Sequence, residues 1–112
     1  MKFYYSEKLS SFTNLLHAFT TKDSGNLAFH VGDDETEVHK NHELLAKELG
    51  YEKNSLVHMK QIHSDIVYMV RDEDFQTPPT CDALITNRKN TPLMVMVADC
   101  SPLLLYDDKK KV

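Results

Sequence analysis

Cys100 and His63 are the two residues whose types and settings could do chemistry. Cys100 lies in Ala98-Asp99-Cys100-Ser101, a polar break between the apolar runs 93–97 and 103–106. A run rich in Val and Met reads as a strand buried on both faces, and the break reads as the turn that ends it. The thiol therefore falls at a strand end, where a rigid scaffold holds functional groups. His63 lies in Lys60-Gln61-Ile62-His63-Ser64-Asp65, with Gln61 and His63 at alternate positions just ahead of the apolar run 66–70. One soft thiol and one imidazole on sheet rims are the raw material of either a zinc site or a thiol nucleophile with its base.

Taken one at a time, these residues have plainer readings. A single His near a strand end is usually a surface or hydrogen-bonded residue, and a free Cys is most often a small buried hydrophobe. His17, His30, His39, His42 and His58 read as structural or solvated, and Cys81 as a packing residue. Gly32-Asp33-Asp34 is acidic but lacks spaced oxygen ligands, so helix capping accounts for it. Gly25 is a lone glycine and makes no phosphate-binding motif.

The elements that must position these groups alternate between strand-like and helix-like patterns, with no repeats and no low-complexity linker. The fold class expected is α+β, a mixed β-sheet flanked by helices. A helix is predicted over 35–49. Asp34 and Glu37 have capping-box spacing, Glu43 and Lys47 are an i,i+4 pair, and Gly50 stands at the C-terminal stop. Its inner face is Val38, His42, Leu45 and Leu49, with Asn41 as a polar interruption. Strands are predicted at 3–6, 17–21, 56–63, 66–70, 82–86, 93–97 and 103–106, and an acidic, then Pro-rich surface loop at 72–79.

At 112 residues the chain has the length of one domain. A formal net charge of −4 and the lack of a basic stripe interleaved with aromatics argue against a nucleic-acid partner. Lys109-Lys110-Lys111 reads as a solvated turn. No window approaches the ~18 apolar residues of a membrane span, and the amino terminus has no uninterrupted apolar stretch. A cytoplasmic location with no membrane partner is expected, with Cys81 and Cys100 reduced. The pattern fixes no oligomeric state.

The order of segments carries more than any one of them. Thr20-Thr21 leads through Gly25 to Asn26-Leu27; then come His30-Val31-Gly32-Asp33-Asp34, Asn41, Lys60-Gln61-Ile62-His63-Ser64-Asp65, Asp82-Ala83-Leu84-Ile85-Thr86-Asn87 and Ala98-Asp99-Cys100-Ser101-Pro102. From about His17 to the last residue this resembles the YfiH-type family, once labelled polyphenol oxidases or laccases and now described as purine nucleoside phosphorylases with adenosine deaminase activity. The resemblance implies a metal, usually zinc, held by the His of a Gln-x-His motif, the Cys of an Ala-Asp-Cys motif and a His in a His-Ala-Gly-Trp-Arg-Gly motif. His63 and Cys100 would be the first two ligands. The third motif does not occur by Val112, so residues 1–112 are expected to be the amino-terminal part of a YfiH-type domain. The family's Arg and Gly-Gly-x-Ser loop is shortened here, with Lys22 near the Arg position.

Three protein ligands with a fourth position open to water is the catalytic form of zinc, and the bound water's pKa falls to about 7. Such a site implies attack at purine C6 in deamination. Phosphorolysis would need stabilisation of an oxocarbenium-like ribose while phosphate attacks. The partners implied are phosphate and purine nucleosides: adenosine, inosine and methylthioadenosine. In this scheme Lys22 binds phosphate, Asn26 hydrogen-bonds the nucleoside and Asp99 orients a neighbouring ligand. The family is also linked to peptidoglycan quality control. The alternatives are a metal-free cysteine hydrolase with Cys100 as nucleophile and His63 as base, or an inactive fragment or binding module. Copper is the weaker metal assignment, because multi-copper phenol oxidation needs many His ligands.

Overall fold

Helix formation is strongest between Asp34 and Gly50, where caps, periodicity and propensity agree. The computed structural model describes residues 1–29, 34–75 and 77–112, which fall into two compact units, Met1–Gly50 and Tyr51–Val112. His30 and the Gly32-Asp33 part of the acidic turn lie outside the described residues.

In the first unit, β1 (Phe3–Tyr4) pairs antiparallel with β2 (Phe19–Thr20), and a one-turn helix α1 (Glu7–Ser10) lies between them. Ser6 caps α1 by accepting from the Leu9 amide at 3.2 Å, a turn the apolar pattern had not revealed. Helix α2 (Glu35–Leu49) has the bounds predicted. Asp34 caps it at the Thr36 amide, 2.9 Å away, rather than at N3, and Gly50 ends it at φ 82, the left-handed conformation that glycine adopts without a β-carbon penalty. Val38, His42, Leu45 and Ala46 are buried, and Leu49 is half-buried, so Ala46 replaces Leu49 on the inner face. Burying each of the Val and Leu side chains contributes roughly 1.5–3 kcal/mol.

His42 stays in this core because its polar edge is satisfied: Nε2 lies 2.7 Å from the Leu27 carbonyl oxygen and the ring stacks on Phe29. His17 is structural in the same sense, its Nε2 accepting from the Ser6 amide at 2.7 Å. Asn41 donates through Nδ2 to the Asn26 carbonyl oxygen at 2.9 Å, so the polar interruption in the helix pattern is the anchor of the 22–26 loop.

In the second unit the expectation of five strands contracts. β3 (Val67–Met69) and β4 (Ala83–Ile85) form a parallel pair. Segment 56–63 contributes two parallel bridges, Val57 with Leu93 and Lys60 with Thr80. The two sheets are separate two-stranded pairs, one antiparallel and one parallel, in place of the single mixed sheet expected; the α+β class stands. Residues 103–106 form no strand, because extended propensity becomes a strand only where a partner ladder exists. Val57, Met59, Val70 and Cys81 make the core, Val57 and Met59 facing inward at the two-residue period of extended chain. The 72–79 segment is not wholly loop: Asp72–Phe75 is a 3₁₀ turn, and Asp74 is buried, accepting from the Arg71 amide at 2.6 Å.

Candidate metal-ligand segment

The backbone around His63 is explained by two bridges in different registers. Lys60 bridges Thr80 and Val67 pairs with Ala83, so residues 61–66 of one segment stand opposite only 81–82 of the other. The surplus chain is thrown out as a loop that carries Gln61, Ile62, His63 and Ser64. Asp82 lies inside the loop. Its Oδ1 accepts from the amides of Ile62 (3.2 Å) and His63 (2.8 Å), and its Oδ2 from the Ser64 amide (2.8 Å) and the Ser64 hydroxyl. The Ser64 hydroxyl and these amides hold the Asp82 carboxyl below the usual carboxylate range, against a smaller opposing effect of desolvation. His63 has φ 59, a left-handed conformation uncommon for a residue with a β-carbon.

A second tie joins this loop to the segment that leads to Cys100. The Val57 amide donates to the Pro92 carbonyl and the Met94 amide to the Val57 carbonyl, both at 2.9 Å, which makes 57 and 93 parallel neighbours. Further on, Gln61 Nε2 donates to the Met96 carbonyl oxygen at 2.6 Å. The chain then enters the bend 98–100, where Asp99 and Cys100 are exposed. His63 and Cys100 thus follow neighbouring segments tied at two points, and both side chains are exposed to solvent. Imidazole and thiolate are donors that zinc takes, so each of the two is of a type that could serve in a zinc set. Among the described residues no group of three His, Cys, Asp or Glu side chains is gathered to hold a metal ion.

The other cysteine is of a different kind. Cys81 is fully buried against Met59, the two sulfurs 3.8 Å apart, and burial pushes its thiol up from its ordinary range. A thiol kept protonated is a poor ligand and nucleophile. Neither cysteine is in a disulfide.

Lys22 and Asn26 belong to the first unit. Lys22 is exposed in the 3₁₀ turn Lys22–Ser24. Asn26 closes a local ring, Oδ1 accepting from the Ala28 amide and Nδ2 donating to the Ala28 carbonyl, each at 3.0 Å. Sequence reasoning assigned no role to Asp82, which enters it as the first residue of a strand and of the Asp82-Ala83-Leu84-Ile85-Thr86-Asn87 segment. The available signal was an acidic residue directly ahead of an apolar run, which is too common to single out.

Residues 16–112 match a family described as multi-copper polyphenol oxidoreductase laccase. Over 100 residues the chain is 39% identical to a purine nucleoside phosphorylase of Corynebacterium glutamicum, covering 80% of this chain and 41% of that protein. With the purine nucleoside phosphorylase YlmD of Bacillus subtilis the identity is 31% over 115 residues, covering 88% and 41%. A crystal structure of the hypothetical protein YfiH of Bacillus licheniformis superposes with TM-score 0.56 at 30% identity, over 61% of this chain and 28% of that one. The chain spans 41% of the length of these two curated relatives. No described helix is long and apolar enough to cross a membrane.

Proposed function

Because the chain belongs to the multi-copper polyphenol oxidoreductase laccase family, and its curated relatives are named purine nucleoside phosphorylases, we propose that it is part of a zinc-dependent purine nucleoside phosphorylase with adenosine deaminase activity. His63 and Cys100 supply two of the metal ligands. The observation that most supports this reading is the coupling of their segments: 57 beside 93 in parallel register, and Gln61 bonded to the Met96 carbonyl two residues before His63 and four before Cys100.

Zinc, when bound, supplies Lewis acidity for charge that develops on the nucleoside during phosphorolysis or at purine C6 during deamination. The remaining work falls to the chain's own groups. The His63 imidazole and the Cys100 thiolate hold the ion, and Asp99, beside Cys100, orients a ligand by hydrogen bonding. Lys22 offers its ammonium to phosphate as a point charge. Asn26, held at both ends of its carboxamide by Ala28, meets the nucleoside with an orientation already fixed, which lowers the cost of ordering on binding. Inosine, adenosine and methylthioadenosine are the substrates proposed. A cytoplasmic location belongs to the same proposal, supported by two cysteines outside any disulfide.

The test is turnover of inosine and adenosine with phosphate, with and without zinc. It compares the 112-residue chain with a chain continued through a His-Ala-Gly-Trp-Arg-Gly segment. Negligible activity is expected from the first, and from the second a zinc-dependent activity that is lost in His63→Ala or Cys100→Ala, each of which removes a protein ligand. Activity undiminished by either substitution would contradict the reading.

A further inference from the structure

Resting on the reading of His63 as a metal ligand, we propose that Asp82 is the positioning residue for His63, holding its turn in a left-handed conformation through three consecutive backbone amides. The looped-out chain 61–66 has no ladder of its own, so its amides need acceptors from elsewhere. Asp82 supplies them: Oδ1 takes the Ile62 and His63 amides, and Oδ2 takes the Ser64 amide and hydroxyl. A carboxylate has about four acceptor positions, and these four donors occupy them, so Asp82 orients the turn and is not itself a metal ligand.

The direction in which a side chain leaves the backbone is set by φ and ψ. At φ 59 the His63 ring leaves the chain in a direction that an ordinary extended or right-handed residue would not give it. That conformation is disfavoured unless its surroundings impose it. The imposing group is anchored at both flanks. Asp82 immediately precedes β4, and its own amide donates to the Ile66 carbonyl at 3.1 Å, so the residue that gathers the loop is fixed to the far end of that loop. The Ser64 hydroxyl also accepts from the Ile66 amide at 3.2 Å, returning the chain toward β3.

The experiment uses the full 112-residue chain with Asp82→Ala, Asp82→Asn, His63→Ala and Cys100→Ala. Without metal, amide hydrogen exchange is read at Ile62, His63 and Ser64, with Val57 and Val70 as core references. Asp82→Ala should expose those three amides while the references stay protected, and Asp82→Asn, which keeps one acceptor oxygen, should restore part of the protection. If Asp82→Ala does not fold, the Asn variant alone carries the comparison. Unchanged exchange at all three amides would overturn the proposal. Cobalt(II) alone is then titrated as a spectroscopic stand-in for zinc. Asp82→Ala should weaken binding about tenfold. Equal affinity in Asp82→Ala and the parent chain, with binding lost in His63→Ala and Cys100→Ala, would overturn the positioning role and leave the metal reading standing. Cobalt binding indifferent to His63→Ala would overturn the metal reading on which this role rests.

Discussion

Gly25 cannot receive a β-carbon without displacing Asn41. At φ 74 and ψ −174 it occupies a region nearly closed to other residues, and a β-carbon built there would stand 2.6 Å from Asn41 Nδ2. Asn41 in turn holds the Asn26 carbonyl, so strain at 25 passes into the loop that carries Lys22 and Asn26. Gly25→Ala should cost about 1–3 kcal/mol, measured by urea unfolding; a change within experimental error would show that the loop relaxes freely. Much at this scale was legible in the sequence. Cys81 packs as a free cysteine usually does, and Asn41 stood out as a polar break in a helix face. The roles of Asp82 and Gln61 were not legible, because each depends on a partner 18 or more residues away, and local spacing says nothing about such pairs.

Helix α2 was legible to its end residues because cap, period and stop signals are all local. The strands were not, since pairing is decided by what lies alongside, and only short stretches of the apolar runs find a ladder. β1 shows how an element this short is kept in place. The Asp23 carboxylate accepts from the Thr21 hydroxyl and, at 2.9 Å, from the Lys2 amide beside β1, and these bonds hold it below the usual carboxylate range. A carboxyl depressed in the folded state contributes stability above its unfolded value and loses it as pH falls through the folded value. The tether should therefore hold at neutral pH and release progressively below about pH 4. Protection of the Lys2 amide, taken as its exchange relative to the intrinsic rate at each pH, should show this loss, and Asp23→Asn should abolish the pH dependence of that protection. An identical profile in the variant would remove Asp23 as the cause.

On the scale of the whole chain, the second unit leaves much apolar surface in water. Leu103 is 82% exposed and Leu105 90%, with Val67, Met69 and Ile66 also exposed. Asp107 and Val112 exchange backbone hydrogen bonds at 2.8 and 3.2 Å, closing a turn over the three lysines. This turn is solvated, as the charge run implied, and it directly follows the 103–106 segment, which forms no strand. Exposed apolar chain without a ladder partner favours association. Sedimentation of the 112-residue chain should show concentration-dependent self-association that Leu105→Lys reduces. A monomer at every concentration would contradict this.

The central claim is that His63 and Cys100 share one zinc ion, and zinc K-edge X-ray absorption on the zinc-loaded chain tests it most directly. One sulfur at about 2.3 Å and a nitrogen or oxygen shell at about 2.0 Å are expected. The sulfur should vanish in Cys100→Ser, the imidazole scattering in His63→Ala, and neither in Cys81→Ser. A spectrum without sulfur, or a sulfur shell that survives Cys100→Ser and disappears in Cys81→Ser, would contradict the account.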